Sequence, residues 1–482
     1  MSKKKDYVLP SIREAAQRRK GDIDTRHFSL SEDMKGIGEG KRYYIRTHGC
    51  QANQRDSESM AGILESMGYE AVDNAEEADV ILINTCAVRQ NAEEKVYGEI
   101  GALKKFKREK EDLIIGVCGC MAQEEESVKT IVEKYPQVDI VFGTHNITSL
   151  ATLLKEVSES RKRKVEVYSK MGEIYESVPV TRFQSHKAWV NVMYGCDKFC
   201  TYCIVPYTRG KERSRKKEDI LEEVRDLLSS GYREICLLGQ NVNAYGKDLD
   251  DPEGFGGLLE EVAEAGMPRI RFMTSHPWDF DDRMILAMKR HPNIMPYLHL
   301  PLQSGDDEIL KRMNRRYTAD EYKDLFDKLR RELPHYAFTT DIIVGFPDES
   351  DEAFRRTLDM VDHCRYDNAF TFIYSPRIGT PAARMKDDIP REVKEERLQI
   401  LNQKVAHYAN LNNQKYLGQV VEVLADGPSK RNSEVFSGYT PENKLVNFTG
   451  KDIQAGDLVK VKITEVMSFS LKGEAIEKVL IF

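Results

Sequence analysis

Nine cysteines punctuate a chain of 482 residues, and six of them fall into two sets of three. The compact set is Cys196, Cys200 and Cys203, in the stretch YGCDKFCTYC at 194–203. Spacings of four and three residues let one tight loop aim three sulfurs at a common point. Thiolates are soft and suit zinc, copper(I) or iron–sulfur clusters. A closed zinc site takes four protein ligands, and no histidine lies between His186 and His276 to complete one nearby. A [4Fe–4S] cube held by three cysteines leaves one iron open to a small molecule. Zinc with a distant fourth ligand, and unreacted thiols, are the other readings.

The second set is spread out: Cys50, Cys86 and Cys120. Each closes one of the first three strands expected after residue 41: RYYIRTHGC, ADVILINTC and DLIIGVCGC. Parallel strands end at one edge, so three separate loops can bring these thiols together as a metal site. Cys118 competes with Cys120. Strand alternation puts Cys118 inside its strand, facing a core, and Cys120 past the end, so Cys120 is the expected ligand. Cys236 and Cys364, mid-strand and at a helix end, are read as packing residues.

The elements that position these thiols follow from the pattern. Short apolar runs alternating with amphipathic stretches predict a doubly wound parallel α/β domain over residues 41–157. Residues 1–40 are charged and apolar-poor, and read as a mobile extension. The rhythm is lost over 158–187, which reads as a linker. Six further βα repeats over 188–412, ending in a polar helix, are too few for the eight-stranded barrel and predict a partial (β/α)6 barrel. Residues 413–482 alternate apolar and polar residues between turns, and predict a small antiparallel β-barrel of the OB-like sort. The fold class is therefore α/β with a C-terminal β-barrel.

A net charge of −7 gives no global sign of nucleic-acid binding. Basic residues cluster locally, in SRKRK at 160–164, RGKERSRKK at 209–217 and KRMNRRY at 311–317. No apolar run is long enough to cross a bilayer, and cysteine use without a secretion signal fits a reducing, cytoplasmic setting.

CDKFCTYC resembles the CxxxCxxC signature of radical S-adenosylmethionine enzymes. THGCQANQRDSE, NTCAVRQNAE and GCMAQ resemble the methylthiotransferase domain, and the tail is similar to a TRAM domain. Within that family CTYCIVPYTRGKERSR and LLGQNVNAYG are most like the MiaB-type tRNA methylthiotransferases. The resemblance covers about 41–482. It implies two [4Fe–4S] clusters, one on Cys196, Cys200 and Cys203 and an auxiliary one on Cys50, Cys86 and Cys120. It implies two molecules of S-adenosylmethionine per turnover, one a methyl donor and one a radical source, because the adenine C2–H bond is not acidic. The reaction implied converts C–H to C–SCH₃ on isopentenyladenosine beside the tRNA anticodon. Tyr202, Gln240, Asn241, Gln303 and Ser304 are the candidate cofactor-binding residues. His276 and Arg315 are candidate substrate contacts, Arg315 toward a carboxylate or an RNA phosphate.

The implied partners are a tRNA anticodon stem-loop, whose bases are accessible, and a reductant such as a flavodoxin or ferredoxin; no membrane is involved, and a monomer is expected. The tail has nine basic and nine acidic residues over 413–482, so RNA contact there rests on shape and a few placed cations. The rival readings are a methylthiotransferase acting on threonylcarbamoyl-adenosine or on a ribosomal aspartate, and a zinc-stabilised RNA-binding protein without catalysis.

Overall fold

The computed structural model describes residues 9–17, 23–87, 90–169, 173–429 and 432–479. The chain forms two compact units. The first holds Met1–Phe183, Met193–Phe199 and Cys203–Arg215; the second holds Gln184–Val192, Cys200–Tyr202 and Lys216–Phe482.

In the first unit the strands are β1 (Asp24–His27), β2 (Arg42–Thr47), β3 (Glu70–Ala71), β4 (Val80–Thr85), β5 (Ile114–Gly119), β6 (Ile140–Phe142), β7 (Lys164–Glu166) and β8 (Glu173–Glu176). Six of them pair in parallel in the order β3-β2-β4-β5-β6-β7. β4 and β5 are buried at every position, as near-continuous apolar strands in a covered parallel sheet must be. Alternate side chains feed two cores. Val80 and Leu82 meet Met60, Ile63 and Leu64 of the Gln51–Ser66 helix. Ile81, Ile83 and Val117 meet Val96, Ile100, Val128 and Ile131 on the opposite face. The chain leaves β2 for β3 on one side and returns to β4 on the other. That reversal is where open α/β sheets place ligands, at the carboxyl ends of the strands.

Two expected boundaries need correction. The described part of residues 1–40 is not a free extension. β1 pairs in parallel with β8, Asp24 opposite Glu173 and His27 opposite Glu176, and Phe28, Leu30, Met34 and Ile37 pack on the sheet core. Nor is 158–187 a bare linker. β7 extends the sheet beside β6, and Arg182 bonds the buried Glu58 at 3.0 Å. Pairing and packing with partners distant in sequence, not side-chain alternation, order both stretches. Four-residue strands as polar as DTRH carry no period to read.

The next strands along the chain are β9 (Lys187–Asn191), β10 (Met193–Tyr194), β11 (Arg213–Ser214), β12 (Glu234–Leu238), β13 (Arg269–Phe272), β14 (Tyr297–His299), β15 (Ala337–Val344) and β16 (Asn368–Ile373). β10 and β11 form a short antiparallel pair in the first unit. The second unit has two parallel sheets, β9-β12-β13 and β14-β15-β16, joined by a parallel bridge between Ile270 and Ile294. Helices alternate with these strands, giving the six-stranded partial barrel.

The tail strands are β17 (Val420–Ser429), β18 (Asn432–Tyr439), β19 (Leu445–Thr449), β20 (Leu458–Val466) and β21 (Leu471–Val479). They close a barrel in the order β17-β18-β19-β21-β20. One pairing, β19 with β21, is parallel, so the barrel is not wholly antiparallel as expected. It docks on the partial barrel through polar groups: Arg271 donates to the carbonyls of Thr440 and Pro441 at 2.8 and 2.9 Å, and Lys444 pairs with Asp367 at 2.7 Å. Among the described residues no helix is long and apolar enough to cross a membrane.

Candidate metal and cofactor site

Cys50, Cys86 and Cys120 stand just past the carboxyl ends of β2, β4 and β5, three adjacent strands. Two of them follow a glycine with positive φ, Gly49 at +121° and Gly119 at +92°. A Cβ on Gly49 would lie 2.8 Å from the Cys86 Cβ, and one on Gly119 would lie 2.3 Å from the Asn84 Oδ1. Only glycine turns the chain there without collision.

Asn53 ties the three loops together. Its Nδ2 donates to the carbonyls of His48 and Thr85, both at 2.8 Å. Its Oδ1 accepts from Arg209 at 2.7 Å and faces the sulfurs of Cys120 and Cys50 at 3.7 and 4.0 Å. Arg209 also pairs with Asp56 at 2.7 Å, both side chains under a tenth exposed. Burial pushes the Cys120 thiol up to about 12; Arg209 opposes this, and Cys86 and Cys50 add to it. The three thiols therefore sense one another, and one buried guanidinium offsets their charge. Cys118 lies in the apolar core, its sulfur 3.6 Å from that of Met60.

Most of the 194–203 stretch and the residues after it belong to the same unit. Gly195, at φ +75°, lets the backbone pass so close to Lys211 that a Cβ would stand 1.9 Å from its carbonyl oxygen. Cys196 N–H donates to Gly210 O at 3.1 Å. Ile204 and Tyr207 pack with Ala87 and Cys120. The basic run at 209–217 is not a surface patch: Arg209, Arg213 and Arg215 are 7%, 4% and 6% exposed. Arg215 grips Glu176 through two bonds of 2.7 and 2.6 Å.

Cys200 belongs to the second unit, where Arg315 NH1 points at its sulfur from 3.4 Å. Arg315 also donates to Pro301 O at 3.2 Å and to Tyr317 OH at 3.0 Å. It is 4% exposed, so it is buried against a thiol and not presented to an RNA phosphate. Tyr202 packs against Ile309, Met313 and Phe346. Gln240 and Asn241 follow β12, and Asn241 Nδ2 donates to Asp279 at 2.8 Å. His276 follows β13 and stacks edge-on with Tyr317, 5.9 Å between centroids. Gln303 has φ +70°, and its buried Oε1 has no hydrogen-bond partner. A left-handed backbone and an unmet buried acceptor set it apart from Ser304 beside it. Ser304 is fully buried and turned inward, its hydroxyl 3.4 Å from that of Thr357.

No disulfide links any of the nine cysteines. Among the described residues no three His, Cys, Asp or Glu side chains are drawn close enough to hold a single metal ion. A four-iron cube spreads three thiolates over three corners. The donor chemistry and the compensating Arg209 fit that larger anionic guest. Asn53, Asp56, Arg209 and Tyr317 are site residues that spacing did not reveal. The one available signal was the position of Arg209, six residues beyond Cys203.

Three family profiles match in chain order: uncharacterized protein family UPF0004 over residues 42–143, the Radical SAM superfamily over 190–361 and the TRAM domain over 414–476. The radical S-adenosylmethionine methyltransferase TsrM from Kitasatospora setae, in a structure with tryptophan and a SAM analog bound, shares the fold at a TM-score of 0.52. It is 14% identical and covers 71% of this chain and 75% of its own. Fold and thiol sites together define a radical S-adenosylmethionine enzyme.

The match is closer among full-length relatives. A protein of Bacillus cytotoxicus named tRNA-2-methylthio-N(6)-dimethylallyladenosine synthase is 55% identical over 474 residues, 98% of this chain and 93% of its own. One of the same name from Anoxybacillus flavithermus is 54% identical over 476 residues, 98% and 90%. The chain belongs to this family of tRNA methylthiotransferases.

Proposed function

We propose that this enzyme converts isopentenyladenosine beside the tRNA anticodon to its 2-methylthio derivative, with two [4Fe–4S] clusters. Cys196, Cys200 and Cys203 hold the cluster that works with S-adenosylmethionine; Cys50, Cys86 and Cys120 hold the auxiliary one. The observation that carries the reading is that Cys50, Cys86 and Cys120 follow three adjacent strand ends, with Asn53 Oδ1 facing two of the three sulfurs. The clusters and S-adenosylmethionine supply the radical and the methylthio group, chemistry that no side chain can offer at an unactivated C–H bond.

The chain's own residues bind and orient. Arg209 offsets negative charge at the auxiliary thiols, and Arg315 does so at Cys200. Gln303 Oε1 is an acceptor poised for a cofactor donor, with Gln240, Asn241 and Tyr202 as further contacts around it. The TRAM barrel holds the stem-loop by shape. The enzyme acts as a monomer in the cytoplasm and takes electrons from a flavodoxin or ferredoxin.

Anaerobic reconstitution tests the cluster count. The wild type should take up about eight irons per chain, and the Cys50→Ala/Cys86→Ala/Cys120→Ala variant about four. Two zincs and no iron would support the binding-protein rival. Nucleoside mass spectrometry of a deletion strain tests the substrate. Loss of 2-methylthio groups from isopentenyladenosine is expected; loss from threonylcarbamoyl-adenosine alone overturns the assignment.

A further inference from the structure

The inner face of the β14-β15-β16 sheet carries a set of side chains that none of the roles above uses. Phe338 of β15 packs outward on Phe326 of the Ala319–Glu332 helix, 5.0 Å between centroids. Alternation therefore turns Thr339, Asp341 and Ile343 to the other face. Registered neighbours in a parallel pair share a face. Asp341 is opposite Phe370 and Ile343 opposite Phe372, while His299 of β14 is opposite Thr339. The contacts agree: His299 meets Phe370 edge-on at 5.9 Å, Asp341 at 3.4 Å and the Thr339 hydroxyl at 2.9 Å.

Phe370 and Phe372 are 46% and 37% exposed. Two phenyl rings on one face of a strand, roughly 7 Å apart along it, stand uncovered where the fold should bury apolar surface. Exposed aromatic surface in a concave sheet marks a ligand site. Its position fits the chemistry. Gln303 N–H donates to Asp341 O at 2.8 Å, and Pro301, two residues earlier, accepts from the arginine that faces Cys200. The aromatic strip thus lies one strand from the thiol-bearing end of this unit.

We propose that Phe370 and Phe372, with Ile343, form the wall that receives the isopentenyl chain on adenine N6, and that Asp341, held by His299, excludes N6 substituents bearing a carboxylate. This rests on the substrate reading above. A branched five-carbon chain gains by leaving water for two phenyl faces. A threonylcarbamoyl group would bring its carboxylate toward that of Asp341 and into an apolar strip, which is costly. The same surface thus accepts one modified adenosine and rejects the other.

The test uses anaerobically reconstituted full-length enzyme and labelled anticodon stem-loops carrying adenosine, isopentenyladenosine or threonylcarbamoyl-adenosine at one position. Fluorescence anisotropy should show the wild type binding the isopentenyl loop about tenfold more tightly than the unmodified one. Phe370→Ala/Phe372→Ala should bring that ratio near one, and Phe370→Leu/Phe372→Leu should keep most of it. Both rings lie at the surface, more than a third exposed, so truncation opens no closed core cavity, and matching circular dichroism and iron content confirm the fold. Asp341→Asn should raise affinity for the threonylcarbamoyl loop alone. A double alanine variant that keeps the wild-type ratio overturns the wall. A wild type that methylthiolates the isopentenyl loop without preferring it in binding also overturns the wall while leaving the substrate reading intact. A wild type that does not methylthiolate that loop overturns the substrate reading itself.

Discussion

Asn53 satisfies two loops with its amide nitrogen and one arginine with its oxygen. Groups that orient metal ligands matter nearly as much as the ligands, and their loss typically costs about 10–100-fold in metal affinity. Asn53→Ala should therefore leave the cluster on Cys196, Cys200 and Cys203 in place while the auxiliary one is lost. Iron analysis would show about four irons per chain in place of about eight. An unchanged count would mean that the strand ends alone position the thiols. The candidate ligands stood out in the sequence because cysteine is rare and its chemistry specific. Arg209 did not, since its hydrogen bond to Asn53 spans 156 residues and it sits inside a run of basic residues with nothing to single it out. Gln303 was legible as a strand-end residue, but its positive φ was not, because nothing in LPLQSG requires a left-handed residue there.

At the scale of the element, the turn after β5 is the most constrained. Gly119→Ala would put a Cβ 2.3 Å from Asn84 Oδ1 and 2.4 Å from Thr85 O, at a φ that alanine avoids. A loss of about 2 kcal/mol or more is expected, seen as a lower unfolding midpoint together with auxiliary iron loss. Gly98, in the Gln90–Ala102 helix, is the control. A Cβ there meets nothing within 4 Å, and Gly98→Ala should stabilise by about 0.5–1 kcal/mol. The central strands were plain in the sequence because VILINT and IIGVCG are unbroken apolar runs. β1, β7 and β8 were not, being short, polar and ordered by partners distant in sequence.

Across the whole molecule, the second unit holds its two parts together with partly buried charge. Asp426 of the tail barrel meets His186 at 3.2 Å and Lys187 at 2.6 Å. Burial pushes the Asp426 carboxyl up, but the His186 hydrogen bond and the Lys187 charge outweigh it and hold the carboxyl below its usual range. A depressed folded-state value adds stability that is fully present above the ordinary carboxylate range. It is lost as pH falls through the lowered value. Asp426→Asn should thus cost about 2 kcal/mol near neutral pH. The difference from wild type should shrink as the solution is acidified, followed by thermal unfolding across a pH series. A difference that does not vary with pH would assign the loss to packing instead.

The pairing of β1 with β8 also has a consequence for how the chain is made. Strand β1 finds its partner only after about 150 further residues have been translated. At ordinary elongation speeds of about 5–20 residues per second, the first strand waits on the order of ten seconds on the ribosome with its edge unpaired. The polar, charged DTRH keeps that nascent edge from joining neighbouring chains during the wait. Replacing it with an apolar, β-prone segment would strengthen the finished pair yet send more newborn protein into inclusion bodies.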